Sequence, residues 1–294
     1  MTHRDSPTLV DNDTFYTPED TVRQLIGLIG DMSAFDTIIE PSAGDGAILS
    51  MLPSRAVGYD LSPLATGITR MNWLEPVTVD GDADDSMYIP YKAALWGYPH
   101  RTLVIGNPPF GRQGVLASRF INECSGWAST VAFIMPRSFL KDSMMNRIDR
   151  RFHVRVMEPV IDDHYRIPST ADTRIVPTII LILDYRDTPR TDHISTRLSK
   201  LELDMLPFEF CSREDADYMI VRVGSRSGSL EDLSHVTDTN AKYNYFIRIR
   251  NQDADIRGMF TRAMPAFHRT RSMTTGPRSL SKAEIVRTLL GYPS

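Results

Sequence analysis

The sequence has only two cysteines, Cys124 and Cys211, so neither a disulfide framework nor a paired zinc-ligand motif can be built from them. Seven histidines are present without ligand spacing, and no metal site is expected. Long apolar runs are also missing. None approaches the roughly 20 residues that span a bilayer, and the polar start from Met1 to Asp5 lacks the basic and apolar regions of a secretory leader, so a cytosolic chain is expected. Internal repeats are absent, and the one low-complexity stretch is the loop Gly224-Ser225-Arg226-Ser227-Gly228-Ser229. What remains is an ordinary composition, 41% hydrophobic and 24% charged over 294 residues, which excludes a disordered or fibrous chain. That length holds one large core with additions.

The net charge of −4 conceals a segregation. Residues Lys242 to Arg287 carry ten Lys/Arg against three Asp/Glu, a local +7 that leaves −11 in the rest of the chain. A segregated basic surface can neutralise phosphates, and Tyr243, Tyr245 and Phe246 interleave there with Lys242, Arg248 and Arg250, ahead of Arg269, Arg271 and Arg278. Alternation along a strand produces the same pattern with aromatics inward and arginines in water.

Residues 1–14 read as a mobile lead-in. A helix is expected from about Pro18, with Thr17 as its cap, Glu19 and Asp20 at its positive end, and Val22, Leu25, Ile26 and Ile29 at helical spacing. From Asp36 to Pro136, short apolar runs alternate with glycine-containing turns and longer mixed segments, the pattern of a largely parallel α/β sheet. The strand candidates are Thr37–Glu40, Ala56–Tyr59, Val77–Val79, Thr102–Ile105 and Thr130–Met135, followed by Val154–Glu158 and Ile175–Tyr185. The last is apolar enough to be covered on both faces, with Pro177 near its start. Helices are expected over Val115–Ser125 and, capped by Ser138, over Ser138–Arg150. Beyond Asp184 the pattern weakens to short pieces such as Tyr218–Val223 and Tyr243–Arg250.

Three segments carry chemistry. Glu40-Pro41-Ser42-Ala43-Gly44-Asp45-Gly46 follows an apolar strand and precedes Ala47-Ile48-Leu49, read as a helix start. Glycines there let the backbone approach a nucleotide-like ligand, but neither the G-x-G-x-x-G pattern nor a phosphate-loop lysine is present. Val57-Gly58-Tyr59-Asp60 ends a strand in a carboxylate that can accept two ribose hydroxyls or cap a helix near Ser62-Pro63. Gly106-Asn107-Pro108-Pro109-Phe110-Gly111 follows the strand Leu103-Val104-Ile105. An Asn oxygen beside a proline-fixed carbonyl can accept both hydrogens of a planar amino group, and the aromatic ring can stack on the base that bears it. The segment His164-Tyr165-Arg166, before Ile167-Pro168-Ser169-Thr170, can form a loop near the target strand, with an exposed surface loop the favoured reading.

Together, the glycine turn, Asp60 and Asn107-Pro108-Pro109-Phe110 resemble the Rossmann-like adenine-N6 methyltransferases, whose amino-methylation motif is [DNS]-P-P-[YFW]. Phe15-Tyr16-Thr17-Pro18 ahead of the glycine turn resembles the DNA-acting subgroup in which a Thr-Pro cofactor motif comes first and target recognition lies C-terminally. The likeness covers about residues 15–185. It implies a class I methyltransferase fold, a mostly parallel seven-stranded sheet with helices on both faces, over residues 15–186, with a small recognition extension over 187–294. S-adenosylmethionine is the implied cofactor and nucleic acid, DNA before RNA, the implied partner. Tyr16, Thr17, Pro18, Glu40 and Pro41 would lie at the methionine end, Ala43, Gly44 and Gly46 would pass beneath the cofactor, and Asp60 would hold the ribose. Asn107, Pro108, Pro109 and Phe110 would form the catalytic motif, with Asn107 also near the cofactor. The family's adenine-contacting motif has its nearest match in Asn72-Trp73-Leu74, where the usual acid is missing and Trp73 reads equally as a core aromatic. An RNA amino-methyltransferase, a protein-glutamine methyltransferase and a noncatalytic nucleic-acid-binding relative are the alternatives.

Overall fold

The computed structural model describes residues 16–74, 101–166, 172–191, 197–233, 242–274 and 277–291. The expected lead-in, Phe15 and the expected strand Val77–Val79 lie outside these residues. The chain divides into two compact units, one drawn from residues 1–140 and 144–193, the other from 141–143 and 194–294.

The first unit begins with α1 (Glu19–Ile29), whose acidic first turn suits the helix N-terminus and whose Val22, Leu25 and Ile29 are buried. Strands β1 (Thr37–Glu40), β2 (Val57–Asp60), β3 (Ile68–Arg70) and β4 (Thr102–Gly106) follow, then α2 (Val115–Glu123) and β5 (Thr130–Pro136). After a four-residue helix, α3 (Asp142–Met145), come β6 (Phe152–Pro159), the small hairpin β7 (His164–Arg166) and β8 (Thr173–Ile175), and β9 (Thr178–Tyr185). The seven-stranded sheet has the order β3-β2-β1-β4-β5-β9-β6. Strands β1 to β5 are mutually parallel where they pair, and β9 runs antiparallel to both β5 and β6. The order β3-β2-β1-β4-β5 is that of the doubly wound Rossmann-like sheet, and it reverses direction between β1 and β4.

Pleating explains why the central strands read as unbroken apolar runs. Ile38, Leu103, Ile105, Ala132, Ile134, Ile180 and Ile182 face α1 on one side. Ile39, Val104, Val131, Phe133, Leu181 and Leu183 face the other, with Ala117, Phe120 and Ile121 of α2 and with Trp127. Each large side chain so buried contributes roughly 1.5–3 kcal/mol relative to exposure.

Three expectations are corrected. No continuous helix spans Ser138–Arg150; a 3₁₀ turn over Arg137–Leu140 and α3 replace it. Within this segment the buried Arg190 guanidinium donates to the carbonyls of Met145 (2.6 Å) and Ile148 (3.4 Å), and the Asp149 amide, which a helix would direct at Met145, donates to Asn122 Oδ1 (2.8 Å). Second, the chain after the glycine turn makes only a 3₁₀ turn over Leu49–Met51, because Pro53 holds Leu52 in an extended conformation (ψ 162°). Third, β3 joins the sheet edge, although its three residues carry no readable alternation and two are exposed. As expected, Pro177 stands just before β9, and its carbonyl accepts from the Arg137 amide (2.9 Å).

The second unit contains α4 (Lys200–Asp204), β10 (Phe208–Phe210), β11 (Tyr218–Val221), β12 (Leu230–Asp232), β13 (Asn244–Ile249), α5 (Ile256–Ser272) and α6 (Lys282–Leu289). Its antiparallel sheet has the order β10-β13-β11-β12. Phe208, Ile220 and Ile247 pack with Phe260 and Phe267 of α5 and with Ile285 and Val286 of α6.

Candidate functional site

In an open α/β sheet, ligands bind beyond the carboxyl ends of the strands, where the strand order reverses. Here that crevice lies between β1 and β4, which pair with Ile39 opposite Val104. The glycine turn leaves β1 and Asn107-Pro108-Pro109-Phe110 leaves β4, so two segments more than sixty residues apart in sequence emerge side by side. Their closeness is measurable at Gly106. A Cβ there would stand 3.5 Å from Pro41 Cδ, 3.6 Å from Ser42 Oγ and 3.7 Å from Glu40 Cγ.

The turn itself is held from β2. The Ala43 amide donates to the Tyr59 carbonyl (2.8 Å), and the Gly44 amide to Asp60 Oδ2 (2.8 Å). Gly44 and Gly46 have φ of +51° and +82°, which a side-chain-bearing residue adopts at a cost, and a Cβ on Gly44 would meet nothing within 4 Å among the described residues. The backbone therefore turns sharply here. Asp60 Oδ1 accepts from the Ser62 amide (2.7 Å), as a cap would, although no helix follows. Each oxygen of Asp60 keeps a further lone pair for a hydroxyl donor.

Glu40 closes β1 and is only 2% exposed. Its Oε2 and the neighbouring Ser42 Oγ are buried with no partner among the described residues. Burial pushes this carboxyl well above its ordinary range, reinforced by Asp60 and Asp45 and opposed by the Leu49 amide. A buried acceptor left open is costly, and an ammonium group placed there would satisfy it. These acceptors therefore fit the methionine end of the cofactor implied by the family resemblance.

At the end of β4, Asn107 Nδ2 donates to Thr17 Oγ1 (3.1 Å). Thr17 consequently does not cap α1, whose N-cap is Pro18 with no side-chain hydrogen bond. With its nitrogen so engaged, the Asn107 amide leaves Oδ1 as an open acceptor. Pro108 is buried, Pro109 half-buried, and Phe110 half-buried against the apolar cores on both faces of the sheet. Tyr16 and Pro18 are likewise half-buried.

Arg166 joins this neighbourhood, although the favoured sequence reading puts it in an exposed surface loop. It lies in β7; Tyr165 beside it is buried and hydrogen-bonds Thr178 Oγ1 (2.7 Å). The Arg166 guanidinium sits 4.7 Å from the Tyr16 ring centroid and 3.5 Å from Asp45 Oδ2, and its carbonyl accepts from the Tyr16 amide (3.0 Å). Ile167-Pro168-Ser169-Thr170 lies outside the described residues. Asn72 Oδ1 accepts from the Leu74 amide (3.2 Å). Trp73 takes the core position that its sequence equally allowed, 3% exposed, with its ring 5.7 Å from Trp127 and 6.4 Å from Tyr59.

In the second unit, four of the ten cations of the basic stretch meet acids from outside it. Arg248 and Arg250 both pair with Glu209, Arg257 with Asp232 (3.3 Å) and Arg287 with Glu202 (2.8 Å). Arg262 pairs with Asp255, and Lys282 lies over the Phe210 ring. Arg271 is buried and donates to the Ser227 carbonyl (2.8 Å). Arg269 and Arg278 are exposed without an ion pair among the described residues.

No family model matches the chain, and no curated protein matches it. Solved structures do align with it. One is a candidate RNA methyltransferase from Pyrococcus horikoshii, at 13% identity and TM-score 0.37, covering 60% of this chain and 88% of the other. Another is an S-adenosylmethionine-dependent methyltransferase from Anabaena variabilis, at 11% identity and TM-score 0.37, covering 60% and 89%. A third is the M protein of type I restriction enzyme EcoKI, at 13% identity and TM-score 0.37, covering 60% of this chain and 45% of that protein. The fold assignment rests on the sheet order itself.

Proposed function

We propose that the chain is an S-adenosylmethionine-dependent methyltransferase that modifies the exocyclic N6 amino group of adenine in DNA. The observation that carries this reading is the Asn107–Thr17 hydrogen bond at the strand-order reversal. It turns the Asn107 oxygen into an acceptor beside the carbonyl of Pro108, at the end of the strand next to the glycine turn.

Glu40 and Ser42 would hold the amino-acid end of the cofactor, Ala43, Gly44 and Gly46 would pass beneath it, and Asp60 would accept the ribose hydroxyls through its remaining lone pairs. When bound, S-adenosylmethionine supplies an electrophilic methyl carbon on a sulfonium. The adenine amine is a weak nucleophile because its lone pair delocalises into the ring. Acceptance of its two hydrogens by Asn107 Oδ1 and the Pro108 carbonyl favours a tetrahedral nitrogen and stabilises the charge that develops on it. With the cofactor held there, the C–N bond would form as the S–C bond breaks, and the surplus proton of the methylated nitrogen would leave to water. Phe110 would stack on the base and orient it. Duplex DNA requires the adenine to be flipped out, at a cost of a few kcal/mol offset by backbone contacts. Arg269 and Arg278 are the candidates for such contacts in the second unit.

The test is methyl transfer from labelled S-adenosylmethionine to unmethylated duplex DNA, single-stranded DNA and RNA, with the product nucleoside identified by mass spectrometry. N6-methyldeoxyadenosine is the expected product. Methylated RNA nucleosides alone would move the assignment to RNA, and cofactor binding without any product would point to a noncatalytic relative.

A further inference from the structure

Arg166 reaches the site by three separate contacts. Its carbonyl accepts from the Tyr16 amide (3.0 Å), its guanidinium covers the Tyr16 ring (4.7 Å), and the same guanidinium pairs with Asp45 Oδ2 (3.5 Å) in the glycine turn. Tyr16 adjoins Thr17, the acceptor for the Asn107 amide. One side chain thus ties the segment that orients Asn107 to the turn that would carry the cofactor.

We propose that Arg166 is a positioning residue, a latch that holds Tyr16-Thr17 against the glycine turn so that cofactor seating and the orientation of Asn107 are coupled. The planar guanidinium suits this double task, stacking on an aromatic face while its edge meets a carboxylate; a lysine ammonium offers one point charge and does not reproduce both. The side chain of Arg166 is 60% exposed, so each contact is individually weak. The backbone bond survives substitution, leaving the segment attached but less ordered. In the role proposed above, the latch acts on the methyl-transfer step and on cofactor affinity rather than on nucleic-acid affinity.

The experiment uses the full chain with Arg166→Ala, Arg166→Lys, Thr17→Val and the Arg166→Ala/Thr17→Val double variant. Arg166→Ala should lose about tenfold in kcat and weaken S-adenosylmethionine about fivefold by calorimetry, with KM for DNA unchanged and Arg166→Lys recovering part of the loss. Since Arg166 acts through Thr17, the double variant should have the kcat of Thr17→Val alone. A raised KM for DNA with a shallower salt dependence and unaltered kcat would make Arg166 a phosphate contact and overturn the latch. A readout independent of cofactor is the exchange of the Asn107 side-chain NH₂ protons by NMR, slowed in the wild-type chain and faster in Arg166→Ala. Equal exchange rates in the two proteins overturn the latch. Absence of S-adenosylmethionine binding by the wild-type chain would instead defeat the proposed function, with the exchange measurement still deciding the latch.

Discussion

Asn107 and Thr17, separated by ninety residues of sequence, share a 3.1 Å hydrogen bond in which the amide nitrogen donates and the hydroxyl oxygen accepts. This bond engages the nitrogen end of the Asn107 side chain and leaves the oxygen end without a partner among the described residues. An amide of the opposite orientation would present donors to an amino group and repel it.

Asn107→Ala should abolish the acceptor and lower kcat by about 100-fold or more, with cofactor affinity little changed. Asn107→Asp should retain measurable activity, because the Thr17 hydroxyl can rotate to donate to one carboxylate oxygen and leave the other as acceptor. Steady-state kinetics of both variants on the same DNA check this. Equal loss in the two would count against an acceptor role.

Thr17→Val keeps the shape of the side chain but removes the acceptor, leaving the Asn107 NH₂ without its partner. A fall in kcat of about tenfold is expected, matching the loss of one ordinary hydrogen bond, whereas Thr17→Ser should stay near wild type. Because Thr17 does not cap α1, the thermal midpoint of Thr17→Val should move little. A drop of several degrees would instead assign Thr17 a structural role.

Glu40 gives the site a pH dependence with a definite sign. Its folded-state pKa is raised, first by burial, so the stability linked to its neutral form is full below the ordinary value of 4.5 and is lost as pH rises through the raised value. Glu40→Gln removes this titration. Melting curves across pH should show the variant gaining on the wild-type cofactor-free protein as pH increases. Cofactor affinity should behave oppositely. A cationic amine favours ionised Glu40, so wild-type affinity for S-adenosylmethionine should rise with pH, while Glu40→Gln binds about ten- to 100-fold more weakly with little pH response. Parallel affinity profiles for the two proteins would remove Glu40 from the ammonium site.

Gly58 tests the packing beneath the turn. An added Cβ would stand 2.6 Å from Leu49 Cδ2 and 3.1 Å from Ala43 Cβ. The leucine end can swing away; Ala43 can yield only by moving backbone, and its amide is bonded to the Tyr59 carbonyl. Gly58→Ala should therefore cost about 1–3 kcal/mol in urea unfolding and weaken cofactor binding together. Unchanged stability would mean that the turn has slack which the packing does not suggest.

The sheet was largely legible in the chain because buried parallel strands are continuous apolar runs bounded by turns, and Thr37–Glu40 appears with its expected limits. The short edge strand Ile68–Arg70 carried no such signal. The expected helix over Ser138–Arg150 is interrupted where Arg190, forty residues on, donates to the Met145 and Ile148 carbonyls and Asn122 takes the Asp149 amide. The local charge of the basic stretch is partly balanced by residues distant in sequence: Glu202, Glu209 and Asp232 pair with Arg287, Arg248, Arg250 and Arg257, which leaves Arg269 and Arg278 without an ion pair among the described residues.

By itself the sequence determined the chemistry available at two strand ends, since a glycine turn and an Asn-Pro-Pro-Phe segment are local arrangements of the backbone. Only the tertiary structure decided that those ends are neighbours, that Thr17 serves Asn107 instead of capping a helix, and that Arg166 reaches Asp45. These are contacts between residues far apart in the chain, and local propensity carries no information about them; they exist because burying both faces of the sheet brings β1 and β4 together.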